Sequence, residues 1–481
     1  TEERFLRTRT ELLSHIQISF GGMVAEEIWF GESGTGPGGD LQAATQTAAL
    51  MVGALGISYF AINQWLVASL QPPSLAAIIP WEGAADLYRD WGYHGGLFNI
   101  GFLGSWINIH TAHHLLGRPQ QANPDRFATD WLWQFMRESL DAGRYQGRQA
   151  EWDRITVPLL SAGNWSGMGL HLRGNTEGYL RAASKAKKLR IHAGTHFHPF
   201  HSADGRRDQL RFFDHWLKGV PNGVMDEPPI RLQIRTGGGK RDFWRYENEW
   251  PLARTQWTKF YLRAEKATGG LQIDKPRAGL ASYEASGMSK NAGTPSWSAA
   301  AMAKPGAQPG VSFETAPLAA DTEVTGPVKL VLWVSSTTED MDIYATIRNI
   351  DPAGNDVWEV GQQGQPVPVA KGWLRASHRK LDPERSLPYR PYHVHDERQW
   401  LRPGQVVELE VEIWPSCMVF AKGHRIRLDV QPRDGVGSAP YTHYSADYNT
   451  GRNTIFTGGR RASYLLLPII PPKDSLQDLD S

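Results

Sequence analysis

The hydrophobic and polar positions follow three different patterns along the chain. Residues 1–54 have helical spacing, clearest in Glu11–Phe20, where the apolar side chains fall near one face. From residue 56 to about 219, short apolar runs typical of buried parallel strands alternate with helical spacing. After Pro228, apolar and polar residues alternate in short runs separated by turn residues, which is typical of antiparallel strands.

The middle part predicts an α/β domain over residues 56–225. Its apolar runs predict parallel strands at Leu75–Pro80, Val157–Leu160 and Leu189–Ala193. Residues 86–152 are rich in aromatic side chains at helical spacing and suit a helical lid. Residues 205–219 predict a helix with Leu210, Phe213 and Leu217 on its apolar face, and the glycine at the end suits a left-handed C-cap.

The last part, residues 226–481, predicts an all-β domain of the sandwich or jelly-roll type. Six alternating runs predict strands at Ile230–Ile234, Lys259–Leu262, Val328–Val334, Ile343–Ile347, Val406–Ile413 and Arg425–Val430. Residues 264–310 are rich in Gly, Ala, Pro and Ser and predict a long loop.

Composition narrows the choice of partners. The chain has 481 residues, which predicts more than one domain, and its 51 Lys+Arg balance 50 Asp+Glu. This balance favours neither nucleic acid nor an anionic membrane as a partner.

Cys417 is the one cysteine and forms no internal disulfide, and no apolar run is long enough to span a bilayer. The start of the chain lacks a signal-peptide layout, so we expect a soluble cytoplasmic protein.

A candidate nucleophile lies in the sequence GISYFA, residues 56–61, between an apolar run and a helical stretch. This context suits a nucleophile elbow, a tight strand-to-helix turn on which Ser58 would be exposed. The backbone N–H of Tyr59 would then be one oxyanion donor. The alternative is a serine that only caps the helix.

A serine nucleophile needs a base and an acid. His196 lies in the loop after the last predicted parallel strand, where an α/β-hydrolase places its base, although His192, His198 and His201 crowd the same loop. A metal site at His192 and His196 is disfavoured because the two do not share a helix face and no Glu follows His192.

The acid has three candidates. Glu82 follows the strand after the elbow helix and is favoured, while Asp86 and Glu177 stay open and a surface ion pair is the alternative for each. Trp81 and Trp165 are expected to line the acyl pocket, although both also suit a core position.

From residue 56 to about 470, the chain resembles the cocaine-esterase/X-Pro dipeptidyl-peptidase family, the CocE/NonD hydrolases. The motifs that carry this resemblance include GISYFAINQW, AAIIPWEGAADLYRD, VPLLSAGNWSGMGLHLRGNTEGYL, GTHFHPFHSADG, RFFDHWLKGV and FAKGHRIRLDV. The resemblance implies an α/β-hydrolase domain followed by a jelly-roll, galactose-binding-like domain, with Ser58 as nucleophile and His196 as base. The family's acid stands two residues after a tryptophan, where this chain has Gly167, so an acid from elsewhere, such as Glu82, is required.

Residues 1–55 resemble a different family, the FtsH-type zinc metalloproteases. The matching sequences are ELLSHIQISFGGMVAEEIWFGE and TGPGGDLQAATQTAALMVGALG. Asp40 matches that family's third zinc ligand, but the HExxH helix that supplies the others is missing from this sequence. One carboxylate does not hold a catalytic zinc, so we expect no metal site.

The two resemblances imply a fusion joined near Leu55-Gly56. The fusion replaces the first strands of the hydrolase and the loop that bears its second oxyanion donor, and Met51–Leu55 would then be recruited as the strand that leads into the elbow.

The expected function is a cofactor-independent serine hydrolase that cleaves ester or amide bonds, of acyl esters or X-Pro peptides, through an acyl-enzyme. The alternative is an inactive remnant whose β domain only binds a partner, because missing central strands would leave a sheet edge exposed. The sequence does not predict an oligomeric state.

Overall fold

The computed structural model describes residues 53–107, 131–143, 145–239, 241–265, 268–285, 310–435, 441–443 and 449–472. The predicted N-terminal segment, with Asp40, therefore lies outside the described residues, apart from residues 53–55. Most of the predicted loop over 264–310 lies outside them as well, and its described part contains two strands, Gly269–Gln272 and Gly279–Glu284, so the prediction of a continuous loop is wrong there. The described residues form an α/β part and a β part that pack against each other.

The described residues of the α/β part contain eight strands. They are β1 (Gly53–Ile57), β2 (Ala77–Trp81), β3 (Tyr93–His94), β4 (Leu97–Phe98), β5 (Leu159–Asn164), β6 (Lys187–His192), β7 (Ile230–Ile234) and β8 (Phe243–Glu247). Six of them form one sheet in the order β1-β2-β5-β6-β7-β8. The first four neighbouring pairs in this order are parallel, and β8 runs antiparallel to β7. All three predicted parallel strands are confirmed, with bounds shifted by a few residues.

The strand β1 joins the two sequence patterns. Gly53 to Leu55, from the segment predicted to be recruited, continue through Gly56 and Ile57 as one strand paired with β2. Among the described residues β1 pairs with β2 alone, so it is the edge strand of this part of the sheet.

Among the described residues, six helices accompany the sheet: α1 (Tyr59–Ser69), α2 (Ile100–Ile107), α3 (Trp131–Arg137), α4 (Leu172–Arg181), α5 (His198–His201) and α6 (Ala203–Lys218). On one face, Trp65 of α1 packs with Ile78 and Leu159. In another core cluster, Phe212 of α6 packs with Ile79. Because Ile78 and Ile79 alternate along β2, the helices cover both faces of the sheet.

The helix α6 confirms the prediction over 205–219. It ends where Gly219 adopts a left-handed conformation with φ 70°. Its buried side agrees in part with the predicted one, because Phe213 and Leu217 pack against the core beside the fully buried Phe212, while Leu210 remains 61% exposed. The sequence has apolar residues on more than one side of this helix, and only the packing against the sheet decides between them.

The predicted lid region contains a π-helix (Leu87–Gly92), the hairpin β3–β4, the helices α2 and α3, and short 3₁₀ turns. Buried aromatic side chains hold these elements together in one cluster, which includes Tyr88, Tyr93, Phe135 and Tyr145. Residues 108–130 lie outside the described residues. No helix among the described residues combines the length and apolar character needed to cross a membrane.

The described residues of the β part contain thirteen strands. They are β9 (Gln256–Arg263), β10 (Gly269–Gln272), β11 (Gly279–Glu284), β12 (Val311–Glu314), β13 (Thr322–Ser336), β14 (Asp342–Ile350), β15 (Glu359–Val360), β16 (Pro366–Val367), β17 (Ala370–Arg375), β18 (Val407–Phe420), β19 (Arg425–Gln431), β20 (Arg452–Thr457) and β21 (Tyr464–Ile470). Eleven form one sheet, β11-β20-β13-β18-β17-β14-β19-β12-β10-β9-β21, which an additional β13–β21 pairing closes on itself. The strands β15 and β16 form a separate pair.

The six strands predicted from alternation after Pro228 are all observed, but the first belongs to the other sheet. The strand β7, over Ile230–Ile234, pairs in parallel with β6 of the α/β part, whereas its alternation had placed it in the β domain that was predicted to begin at residue 226. Alternating burial shows that a strand has one buried face and does not specify which sheet it joins.

The two parts share a core. Ile191 of β6 and Ile230 of β7 belong to the same buried cluster as Trp373 and Trp414 of the β part. The fully buried Arg235 donates hydrogen bonds to the carbonyl of Cys417 at 2.7 Å and to Ser416 Oγ at 3.0 Å. The β part is therefore fixed against the carboxyl ends of the parallel strands.

Candidate active site

Ser58 occupies the turn between β1 and α1 and has a strained backbone, with φ 61° and ψ −119°. Its amide donates to the carbonyl of Trp81 at 2.9 Å, which ties the turn to the end of β2. A Cβ at Gly56 would lie 2.5 Å from the Cβ of Phe60, so this close approach requires glycine. Strain of this kind in a non-glycine residue is characteristic of functional sites, and the geometry is that of the predicted elbow.

The other candidate residues lie at the same edge of the sheet because of the strand register. Trp81 pairs with Ala162, and Asn164 pairs with His192, so β2, β5 and β6 end side by side. Glu82 directly follows β2, and its amide donates to the carbonyl of Ala162 at 2.6 Å. The carboxyl ends of parallel strands are where open α/β sheets bind ligands.

Among the described residues, Glu82 is the one candidate acid of the three that contacts a histidine. Its Oε2 lies 2.7 Å from His196 Nδ1, and its Oε1 lies 2.8 Å from His192 Nε2. Asp86 instead caps the π-helix and pairs with Arg89 at 2.9 Å. Glu177 forms an ion pair with Arg390.

The Glu82 carboxylate is fully buried and receives four hydrogen bonds. Besides the two histidines, Asn164 Nδ2 donates to Oε1 at 3.1 Å and Gln362 Nε2 donates to Oε2. Burial alone would raise the pKa of this carboxyl, but the hydrogen bonds and charges of His192 and His196 outweigh it and hold the pKa well below its ordinary value. Glu82 is therefore ionised at neutral pH.

Ser58 Oγ lies 3.2 Å from His171 Nε2, so the structure pairs the serine with His171 and not with the predicted base. His171 precedes α4 and is buried. The rings of His171 and His196 stack in parallel, with centroids 5.1 Å apart and planes 1° apart. Burial, followed by the charge of His196, lowers the pKa of His171 to about 3.

Gln362 reaches this cluster from the loop between β15 and β16. Its Nε2 lies 3.3 Å from His171 Nδ1, and its Oε1 accepts a hydrogen bond from the Tyr441 hydroxyl at 2.8 Å. A Cβ at Gly167 would lie 3.2 Å from the same Nε2. The Gln362 amide therefore occupies the space into which a side chain at position 167 would extend, and Gly167 leaves room for it.

Glu82, His171 and His196 each place a possible ligand atom within 4.8 Å of the others, as a metal site would. The Gln362 Nε2 that donates to Glu82 is also 3.4 Å from His196 Nδ1, so a hydrogen-bond donor stands among the three ligand atoms. A cation there would have to displace this amide. The arrangement of Glu82, His171 and His196 therefore fits a hydrogen-bond network better than it fits a metal site.

A cavity of about 450 Å³ opens beside the elbow. Most of its lining is apolar or aromatic, including Tyr59, Leu66, Trp91, Trp106 and Phe135. The backbone N–H of Tyr59 is in the first turn of α1, where amides have no intrahelical acceptor, so it suits the predicted role of oxyanion donor.

Trp81 and Trp165 do not line this cavity. Trp81 is fully buried and packs against His192 with ring centroids 5.1 Å apart and planes tilted by 32°, while Trp165 packs against Trp250. The prediction that they form the acyl pocket is replaced by their alternative core role. Trp81 belongs to the buried cluster of Ile79 and Phe212, and Trp165 belongs to the cluster that the two parts share.

Sequence reasoning did not identify His171 or Gln362. His171 lies in the quoted motif VPLLSAGNWSGMGLHLRGNTEGYL, but nothing local distinguishes it from a core histidine. Gln362 is 280 residues from Glu82 in the chain, and only the docking of the β part brings them together.

Comparison with known families divides the chain as the sequence patterns do. The X-Pro dipeptidyl-peptidase (S15 family) model matches residues 43–198, and the X-Pro dipeptidyl-peptidase C-terminal non-catalytic domain matches residues 222–466. The peptidase family M41 model matches residues 1–68, so two of the matches overlap at the elbow.

Individual proteins give the same division. A CocE/NonD family hydrolase from Staphylococcus aureus has a similar structure, with a TM-score of 0.77 and 32% identity over 87% of this chain and 72% of that chain. Cocaine esterase from Rhodococcus sp. is 22% identical over 87% of this chain and 80% of its own length. The ATP-dependent zinc metalloprotease FtsH of Syntrophobacter fumaroxidans is 52% identical over 58 residues, which are 12% of this chain and 9% of that protein.

Proposed function

The chain belongs to the CocE/NonD family of hydrolases, and on this basis we propose that it cleaves esters through an acyl-enzyme formed on Ser58. The resemblance inferred from the motifs is confirmed, as is the match of the N-terminal region to a fragment of the FtsH-type peptidase. Relatives of the serine esterase and S15 peptidase types support a serine hydrolase.

The observation that carries the proposal is the 2.7 Å contact between Glu82 and His196, whose ring stacks on that of His171 next to the strained Ser58. When Glu82 accepts a hydrogen from Nδ1 of His196, the other ring nitrogen keeps its lone pair. That is the tautomer a general base requires. Glu82 thus takes the orienting role that a side chain at Gly167 cannot supply.

The proposed reaction has two halves. Ser58 Oγ attacks the ester carbonyl while His196 Nε2 takes its proton, and the oxyanion that forms is stabilised by the Tyr59 amide. The proton passes to the leaving alcohol, and an acyl-serine remains. Water then gives its proton to His196 and attacks the acyl carbon, which releases the acid and restores Ser58.

The cavity favours esters with an uncharged, apolar acyl group. Its lining is mostly aromatic and aliphatic. Asp86 at its wall is already neutralised by Arg89 at 2.9 Å, and its side chain accepts hydrogen bonds from two backbone amides. This acid is therefore poorly suited to hold the charged amine of a peptide. We expect faster hydrolysis of phenylacetyl than of acetyl p-nitrophenyl esters, and little cleavage of a Gly-Pro anilide.

The test is steady-state turnover of these substrates by the wild type and two variants. Ser58→Ala is expected to abolish hydrolysis, and His196→Ala is expected to reduce kcat by several orders of magnitude, with the melting temperature of each variant measured to confirm folding. Turnover that persists in Ser58→Ala would refute the assignment of the nucleophile. Efficient anilide cleavage would refute the substrate class alone.

A further inference from the structure

The site contains two histidines where the proposed mechanism uses one. His196 contacts the carboxylate Glu82, whereas His171 contacts the nucleophile, with Nε2 3.2 Å from Ser58 Oγ. The two properties that a single catalytic histidine normally combines are therefore divided between two stacked rings.

The hydrogen-bond network fixes which nitrogen of His171 carries the proton. Gln362 must direct its NH₂ group at the ionised Glu82, and its Oε1 accepts from the Tyr441 hydroxyl at 2.8 Å, so the orientation of the amide is determined. The same NH₂ group lies 3.3 Å from His171 Nδ1, which accepts its second hydrogen, whereas its 3.4 Å approach to His196 Nδ1 arises because both groups donate to Glu82 Oε2. A neutral imidazole has one N–H, so that of His171 is on Nε2 and donates to Ser58 Oγ.

We propose that His171 is a catalytic hydrogen-bond donor, and that Gln362 of the β part is the positioning residue that holds it in this role. In the resting site the Nε2–H of His171 donates to Ser58 Oγ, which leaves the serine's own proton free for His196. When Oγ attacks, the negative charge develops on the neighbouring carbonyl oxygen, and the His171 N–H donates to it alongside the Tyr59 amide. This inference rests on the proposed function of Ser58.

The competing role, in which His171 is the base, conflicts with the same contacts. A base needs a lone pair on Nε2, which would put the proton on Nδ1 and set it against the Gln362 N–H at 3.3 Å. The nearest carboxylate, Glu82, is engaged with His192 and His196 instead. Because burial also lowers the pKa of His171 to about 3, it would be a weak acceptor of a proton.

Replacing His171 by glutamine distinguishes a hydrogen-bond donor from a general base. Glutamine can present an N–H at nearly the position of histidine Nε2, but it cannot accept a proton at neutral pH. We expect His171→Gln to keep kcat within about tenfold of the wild type and His171→Leu to lose roughly 10²–10³-fold, the usual effect of losing one oxyanion donor. His196→Gln should be as inactive as His196→Leu. A folded His171→Gln variant as inactive as His171→Leu would overturn the donor role.

The tautomers are measured directly by ¹⁵N NMR of protein labelled at its histidine ring nitrogens, with the glutamine variants used for assignment. We expect the proton on Nε2 of His171 and on Nδ1 of His196. Gln362→Leu should shift His171 to a mixture of tautomers and leave His196 unchanged, while the exposed neighbour Gln363→Leu, as a matched control, should change neither. A wild-type His171 protonated on Nδ1 would overturn the proposal, and this result is independent of whether Ser58 turns over.

Discussion

Replacing Glu82 by glutamine tests the acid–base assignment with a minimal change in volume. The carboxylate has two oxygens and receives two hydrogen bonds on each, from His192 and Asn164 on Oε1 and from His196 and Gln362 on Oε2. Glutamine has one oxygen and one NH₂ group, so two of the four donors would face another donor whichever way the amide is turned.

The substitution Glu82→Gln is expected to affect the reaction rate more than the folding stability. If the NH₂ group faces His196, the ring must move its proton to Nε2, and it can no longer act as a base. If the NH₂ group faces Asn164 instead, the amide network is disrupted, and His196 still loses its anionic partner. Loss of the orienting carboxylate in a catalytic triad costs roughly 10⁴-fold in kcat, or about 5.5 kcal/mol of transition-state stabilisation. Each buried donor left unpaired costs about 1–3 kcal/mol of folding stability.

The assay is kcat for a p-nitrophenyl ester, with the concentration of folded protein set by a denaturant titration of each variant. Glu177→Gln is the matched control, because Glu177 is a buried acid that pairs with Arg390 and does not contact the site. We expect Glu82→Gln to lose about four orders of magnitude in kcat and Glu177→Gln to remain near the wild type. A folded Glu82→Gln variant within tenfold of the wild type would refute the role of Glu82.

Three further outcomes are expected from other parts of the structure. Trp106→Ala removes an aromatic wall of the cavity, so kcat/KM for a phenylacetyl ester should fall roughly tenfold while that for the acetyl ester changes little; equal losses would argue against an acyl pocket there. Tyr441→Phe removes the hydroxyl that donates to Gln362 Oε1 and should lower the free energy of unfolding by about 1 kcal/mol, measured by urea denaturation. Burial lowers the pKa of His378 and His393 to about 3, below the ordinary value near 6.5. The unfolded chain therefore binds more protons than the folded chain below pH 6.5, and stability should fall as the pH is lowered from 6.5 towards 3; an unchanged melting temperature between pH 7 and pH 4.5 would contradict this.

Local sequence patterns predicted the parts of the molecule that local chemistry controls. Glycine at position 56 before Ser58, between an apolar run and a helical stretch, suited an elbow because the turn requires a small residue there, but this local pattern alone left a helix-capping serine open. Glu82 was favoured because it follows an apolar strand, and parallel strands end at a common edge. The contact of Glu82 with His196 agrees with that expectation, while the catalytic roles remain proposals.

The features that the sequence did not predict depend on packing between segments that are distant in the chain. Gln362 reaches the site only because the β part docks on the sheet, and His171 is distinguished by its distance to Ser58 and not by its neighbours in the sequence. Alternation in Ile230–Ile234 predicted a strand correctly but did not specify its partner, β6. The same holds for Trp81 and Trp165, since an aromatic residue near a site suits a pocket wall and a core equally well until the cavity is located.

The central claim is that this chain assembles an activated serine at the strained turn after β1. Intact-mass measurement after treatment with a fluorophosphonate tests it most directly, because the probe reacts covalently with activated serines and needs no knowledge of the substrate. We predict a single adduct on the wild-type chain that is absent from Ser58→Ala. A folded wild-type chain that acquires no adduct, or an adduct that persists in Ser58→Ala, would contradict the account.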